Sequence, residues 1–237
     1  MENACRINDV TEIEQETASP RIYKFKIALL GEAGVGKTCI AERYSEDVFN
    51  EYSVSTTGAA YRVKKLRLCS GKVGVMLNIW DTAGQEVYRS LAPFYCKDAD
   101  AVIVVYDLTR PQSLEAVSYW VQQVQQNAQK DCLITIAGNK CDCLCGEKVN
   151  ENSIKALAQS ANAGLFTVSA KENINIKKMF MDIVLRKLPW IRTELGYEGD
   201  AKALNAEIGS KKSPKKIRLK SLEREKLERH HGRKCAC

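Results

Sequence analysis

An apolar run, Ile27-Ala28-Leu29-Leu30, stops at Gly31, and the eight residues from that glycine restrict the fold more than any other feature of the chain. With Tyr23-Lys24-Phe25-Lys26 before it, the run reads as a strand entering a buried sheet. The segment Cys39–Tyr44 reads as the first turns of a helix. Between them Gly31-Glu32-Ala33-Gly34-Val35-Gly36-Lys37-Thr38 fits the pattern G-x-x-x-x-G-K-[ST]. Strand, glycine loop and helix start together make an anion site. Loop N–H groups and the helix N-terminus face phosphate, Lys37 adds a point charge, and the Thr38 hydroxyl suits Mg²⁺. The implied ligand is a nucleotide.

The rest of the body repeats strand and helix. Ala59–Leu68 and Val73–Asp81 flank Ser70-Gly71-Lys72, a hairpin signal. Ala101–Tyr106 is apolar throughout and Leu133–Gly138 is apolar but for Thr135, the composition of strands buried on both faces. Helices are expected from Pro111 to Ala128, from Asn150 to Ala161 and from Ile174 to Leu188, with a short strand at Leu165–Val168. Pro111 is a favourable first helical residue. Asp47–Ser55 reads as a loop. This alternation predicts an α/β fold with a mostly parallel six-stranded sheet and helices on both faces. Ligands of such sheets bind beyond the carboxyl ends of the strands.

Charge divides the 237 residues into unequal parts. Residues 1–200 carry a net −1, whereas 201–237 carry +8, which together make the net +7 of the chain. The expected organisation is a disordered acidic extension over 1–20, a folded domain over 21–190, and a basic tail over 191–237. No apolar stretch approaches the ~18 residues that cross a bilayer. The N-terminus lacks the apolar core of a secretory signal. Cys39, Cys69, Cys96 and Cys132 fall singly in predicted elements and read as free thiols of a reducing compartment. Cys141, Cys143 and Cys145 alternate on one loop, but three thiolates without an evident fourth ligand make a poor zinc site. Loop variation is the plainer reading.

Further motifs come after the predicted strands. In Trp80-Asp81-Thr82-Ala83-Gly84-Gln85-Glu86 the carboxylate of Asp81 stands where it can reach Mg²⁺ through water. Gly84 there can bring a backbone N–H to a γ-phosphate. In Asn139-Lys140-Cys141-Asp142 the Asp142 carboxylate can accept from both N1–H and the exocyclic amine of guanine. Adenine would leave that carboxylate unpaired. Ser169-Ala170-Lys171 can present a backbone N–H to the guanine carbonyl oxygen. These motifs oppose the competing reading of an adenine-specific kinase or ATPase.

In this order the motifs resemble the Ras superfamily of small GTPases, over Tyr23 to Leu188. WDTAGQE and the terminal Cys-Ala-Cys are similar to the Rab family. Val54–Tyr61 and Tyr88–Tyr95 are most similar to its early-endosomal branch. The resemblance implies a P-loop NTPase fold that binds GTP or GDP with Mg²⁺ and hydrolyses GTP slowly until an activating protein adds charge. It places Phe49 against guanine and Thr56 on Mg²⁺ and the γ-phosphate, beside Thr38 and Asp81. Gln85 would orient the attacking water. Tyr61, Trp80 and Tyr95 match the aromatic trio that Rab effectors read, although ordinary packing accounts for them equally well. Ala33, a glycine in Ras-type members, and Thr57, isoleucine in many Rabs, depart from the pattern without removing a catalytic group. A scaffold that binds nucleotide but hydrolyses little remains the alternative from a different class.

The tail has its own expectation. Lys211–Lys216 and the charged stretch to Lys234 fit a solvated linker or a nucleic-acid contact. The ending Cys235-Ala236-Cys237 decides against nucleic acid, because by resemblance both cysteines receive geranylgeranyl groups. Two chains anchor a protein stably where one does so marginally. The implied partners are an exchange factor, a GTPase-activating protein, a GDP-dissociation inhibitor, a prenylation escort protein and effectors. The implied place is the cytoplasmic face of intracellular, endosomal membranes, with cycling through the cytosol.

Overall fold

Six strands form one sheet in the order β2-β3-β1-β4-β5-β6. The computed structural model describes residues 21–52, 56, 58–69, 72–143 and 151–194. The strands are β1 (Arg21–Leu30), β2 (Ala59–Leu68), β3 (Val73–Thr82), β4 (Ala101–Asp107), β5 (Leu133–Asn139) and β6 (Gly164–Thr167). β2 pairs antiparallel with β3, and every other pairing is parallel. The hairpin expectation is met: the Lys72 N–H donates to the Cys69 carbonyl at 3.1 Å across the turn.

The apolar strands explain themselves in cross-section. Phe25, Ile27 and Leu29 of β1 join one core, and Ala28 and Leu30 join the other. Successive side chains of a strand point to opposite faces, so a strand covered on both is apolar at nearly every position, with Thr135 of β5 an exception. Helices α1 (Lys37–Glu46), α5 (Ile176–Lys187) and α6 (Pro189–Glu194) cover the first face. There Tyr44 stacks on Phe180 with ring centroids 3.8 Å apart. The second face carries α2 (Ala92–Cys96), α3 (Pro111–Asn127) and α4 (Glu151–Ser160), through Tyr95, Val117, Trp120, Val124 and Ile154. Cys39, Cys69, Cys96 and Cys132 stand outside any disulfide among the described residues. Burial pushes the Cys96 thiol up to about 11 and that of Cys132 to about 12.

Sequence periodicity did not foretell four elements, among them a 3₁₀ turn over Cys141–Cys143. A 3₁₀ helix over Glu86–Leu91 leads directly into α2, and α6 follows α5 after a single residue. Each is too short to show a helical repeat. Among the described residues no helix is long and apolar enough to cross a membrane.

Chain order sets the position of the site. β1 lies between β3 and β4, so the chain leaves it to build one flank and returns to build the other. The carboxyl end of β1 is therefore a switch point, where open α/β sheets bind ligands. Gly31 begins the loop there at φ 143°, and a β-carbon on it would run into the Val105 carbonyl oxygen of β4. Only glycine lets the loop leave the sheet this close to its neighbour.

Candidate nucleotide site

Residues from five separate segments gather around one cavity of about 360 Å³ at this sheet edge. Ala33, Gly34, Gly36, Lys37, Thr38 and Cys39 contribute from the loop and α1. Phe49 and Thr56 come from the segment before β2, and Gly84 and Gln85 from the segment after β3. Asn139, Lys140 and Asp142 belong to the end of β5 and the turn beyond it, and Ala170 and Lys171 follow β6. Motifs spread over more than a hundred positions of the sequence thus meet in a single pocket.

At the loop end, Lys37 is 5% exposed, and its ammonium donates to the Gly31 and Glu32 carbonyls, each at 2.8 Å. Burial lowers its pKa to about 8, against the opposing pull of Asp81 and Glu32. An ammonium held this way is a cation short of an anion. The Thr38 and Thr56 hydroxyls lie 2.7 Å apart. Asp81 is fully buried beside them, and neither of its carboxylate oxygens has a partner among the described residues. Burial pushes its carboxyl up, with Thr38 and Lys37 pulling the other way. Two hydroxyls and an orphaned carboxylate form a hard-oxygen set of the kind Mg²⁺ prefers, with water completing the shell. The donor chemistry fits the ion. Among the described residues no group of three His, Cys, Asp or Glu side chains forms an alternative metal site. Cys145 lies outside them.

Hydrogen bonds tie the two ends of the cavity together. The Asn139 amide donates to the Val35 carbonyl at 2.9 Å, and its oxygen accepts from the Ala170 N–H at 3.2 Å. The Ala170 N–H is therefore engaged within the protein here. Arg43 of α1 holds the Ala170 carbonyl at 2.8 Å and that of Lys171 at 3.2 Å from outside. The Lys140 ammonium sits 2.7 Å from Asp107, whose own burial would raise its pKa but whose bonds to Lys140 and Thr109 hold it low. Asp142 is exposed at the mouth. Partial burial raises its carboxyl, and the Ser169 hydroxyl and Cys143 thiol outweigh that and hold it below its usual range. Ionised and facing the open cavity, it is ready to accept.

Some of the expected residues play their part through the backbone or from a distance. Glu32 turns its side chain away from the cavity, accepting from Arg89 at 2.8 Å and from the Trp120 indole at 3.2 Å. Val35 and Ser169 are fully buried behind the pocket wall. Tyr61 and Trp80 pair across β2 and β3, with ring centroids 5.4 Å apart, and Trp80 continues to Tyr95 at 6.4 Å. Tyr61 is 54% exposed whereas Tyr95 is 7% exposed, so the trio presents one end to solvent. Thr57, Cys235 and Cys237 lie outside the described residues. Sequence reasoning missed Asp107 and Arg110 at the end of β4. No motif marks them, although an aspartate closing a buried strand is itself a signal.

A phosphate loop at the switch point of a mostly parallel sheet, with an oxygen-donor set at one end and an exposed, ionised carboxylate at the other, defines a P-loop nucleotide-binding protein. The sequence comparisons narrow that class. Residues 26–188 match the model of the Ras family. The chain is 42% identical over 166 residues to GTP-binding protein ypt5 of Schizosaccharomyces pombe, covering 69% of this chain and 77% of that protein. It is 37% identical to Ras-related protein Rab-10 of Diplobatis ommata, covering 70% of this chain and 83% of that one. It is likewise 37% identical to Ras-related protein Rab-21 of Bos taurus, covering 72% and 76%. The chain belongs to the Rab family of Ras-superfamily small GTPases.

Proposed function

We propose that this chain works as a GTP- and GDP-regulated switch in vesicle trafficking, with its nucleotide held in the cavity at the β1 edge. The observation that carries the assignment of the site is Asp81, a buried carboxylate with no hydrogen-bond partner among the described residues, beside two paired threonine hydroxyls. In this reading Thr38, Thr56 and, through water, Asp81 hold Mg²⁺. When bound, the ion neutralises phosphate charge. The backbone from Gly31 to Thr38 cradles the phosphates, with Glu32 and Val35 contributing main chain only, and Cys39 follows at the helix start. Phe49 lies against the base, Asp142 selects guanine, and Asn139, Lys140, Ser169, Ala170 and Lys171 shape its pocket.

A buried, unpaired carboxylate costs about 1–3 kcal/mol. Asp81→Asn is therefore expected to raise the melting temperature of the nucleotide-free protein while weakening Mg²⁺-dependent GDP retention. Because burial raises the Asp81 pKa, the group stabilises the empty fold at low pH and loses that effect as pH rises through the folded pKa. The asparagine variant should lack this component. If Asp81→Asn left Mg²⁺ dependence intact, the assignment would fail.

Phosphoryl transfer in this site needs positioning and charge rather than covalent chemistry. Gln85 stands on the cavity wall at the start of the 3₁₀ helix, where it can hold the attacking water. Arg89 is committed to Glu32 and does not line the cavity, so the rate-enhancing charge comes from an activating protein. Gln85→Leu should slow activator-stimulated single-turnover hydrolysis by roughly 10²-fold, the scale of a misplaced reactant. Normal assisted turnover would remove Gln85 from the mechanism.

Loss of the γ-phosphate removes the contacts expected of Thr56 and Gly84, so the two flanking segments relax and the partner surface near Tyr61, Trp80 and Tyr95 changes. The body over 21–190 acts as the switch. The basic segment to residue 237 attaches it to membrane through lipids on Cys235 and Cys237, with lysines adding about 1 kcal/mol each at an anionic surface. A family-typical exchange factor, activating protein, dissociation inhibitor and escort protein serve the cycle, and likeness to the early-endosomal branch points to endosomal membranes. Replacing both terminal cysteines with serine should move the protein from the membrane to the soluble fraction of a cell lysate. Unchanged membrane association would exclude lipidation there.

A further inference from the structure

Arg110, in the turn between β4 and α3, reaches back to the phosphate loop across 77 positions. Its Nη2 donates to the Ala33 carbonyl at 2.8 Å, and its Nε donates to Asp107 at 3.2 Å. The guanidinium lies along Gly34, where a β-carbon would stand 3.5 Å from Nη2 and 3.8 Å from Nη1. Asp107, 1% exposed, anchors the base of this side chain and the Lys140 ammonium as well.

The Ala33 carbonyl and the Gly34 N–H belong to one peptide group. In a planar trans peptide these two bonds point in opposite directions. Gly34 lines the cavity and Arg110 does not, so a carbonyl held by Arg110 turns the Gly34 N–H toward the phosphate side. A cation on the carbonyl also polarises the peptide and strengthens its donor, as in any hydrogen-bonded chain. We propose that Arg110 is a positioning residue that orients and polarises the Ala33–Gly34 peptide so that the Gly34 N–H binds a nucleotide phosphate. The inference rests on the guanine-nucleotide reading and deepens it. Arginine suits the role because one planar fork grips Asp107 and the Ala33 carbonyl at once, whereas a lysine ammonium is a single point.

The test uses the full chain loaded with GDP. Release of a fluorescent GDP is timed by competition with unlabelled GDP, and the Gly34 amide is followed by ¹H–¹⁵N NMR. Arg110→Ala should release GDP about tenfold faster, the scale of one lost charge-assisted hydrogen bond. Its Gly34 amide proton should move upfield while those of Gly36 and Lys37 hold. Arg110→Lys should fall between parent and alanine in both readouts. Release within twofold of the parent, or a Gly34 shift no larger than that of Gly36, would overturn the proposal. If the alanine variant does not fold, the lysine variant decides: parent-like release and shift overturn the proposal, and intermediate values support it. A parent chain that failed to bind GDP would instead sink the underlying nucleotide reading.

Discussion

A Lys37→Ala chain is expected to bind GDP at least about 10²-fold more weakly than the parent, as isothermal titration of nucleotide-free protein would measure. The ammonium is buried and makes two carbonyl bonds that phosphate oxygens would replace. Bonds to charged partners are worth roughly 1.5–3 kcal/mol each, so losing two is a large effect. The same residue predicts a pH dependence. Burial sets its pKa at about 8 in the empty protein, and bound phosphate must raise it. Above that pH, binding takes up a proton, so GDP affinity should fall by up to about tenfold per pH unit. Stability of the empty fold runs the other way. The unfolded chain holds the Lys37 proton more tightly, so this group adds stability as pH rises from about 8 toward its unfolded value. The alanine variant should flatten both slopes, and a steep affinity slope that survived would point to another group.

Asp142→Asn should alter which base is accepted. Guanine presents two donors, N1–H and the exocyclic amine, and a carboxylate accepts both. Asparagine offers one acceptor and one donor, so its NH₂ would oppose the guanine amine. Discrimination of this kind reaches roughly 10⁴-fold where a polar group is left unmatched. GDP binding should fall toward that scale. Xanthosine diphosphate, with a carbonyl where guanine carries its amine, should bind the variant better than it binds the parent. Competition of both nucleotides, and of ADP, against a fluorescent GDP on the parent and the variant provides the measurement. Unchanged GDP affinity would place the base somewhere other than at Asp142.

How much of the fold was legible in the chain depends on the range of the forces involved. β1, β4 and β5 are apolar at consecutive positions because both faces are covered, and that pattern is local. Pro111 marked the start of α3 because its fixed φ suits the first helical turn. The glycine loop and Asp81 were likewise legible, since their chemistry sits in adjacent residues. Long-range side-chain contacts were not. Nothing near Glu32 announces that its carboxylate turns to Arg89 and Trp120, 57 and 88 positions away. Nothing near Arg110 points to Ala33. The short helices Glu86–Leu91, Ala92–Cys96 and Pro189–Glu194 owe their form to what they pack against, and their own sequence carries too few turns to show it.

The open rim of the sheet has one more implication. β2 is an outermost strand, and among its apolar residues it carries exposed or half-buried Arg62, Lys64 and Lys65, with Arg62 paired to Glu42 and Glu46 of α1. Charged side chains along such a rim disfavour a second copy that would otherwise zip onto it. A charged fringe of this kind keeps copies of the domain apart when they are concentrated, each still open along its other faces.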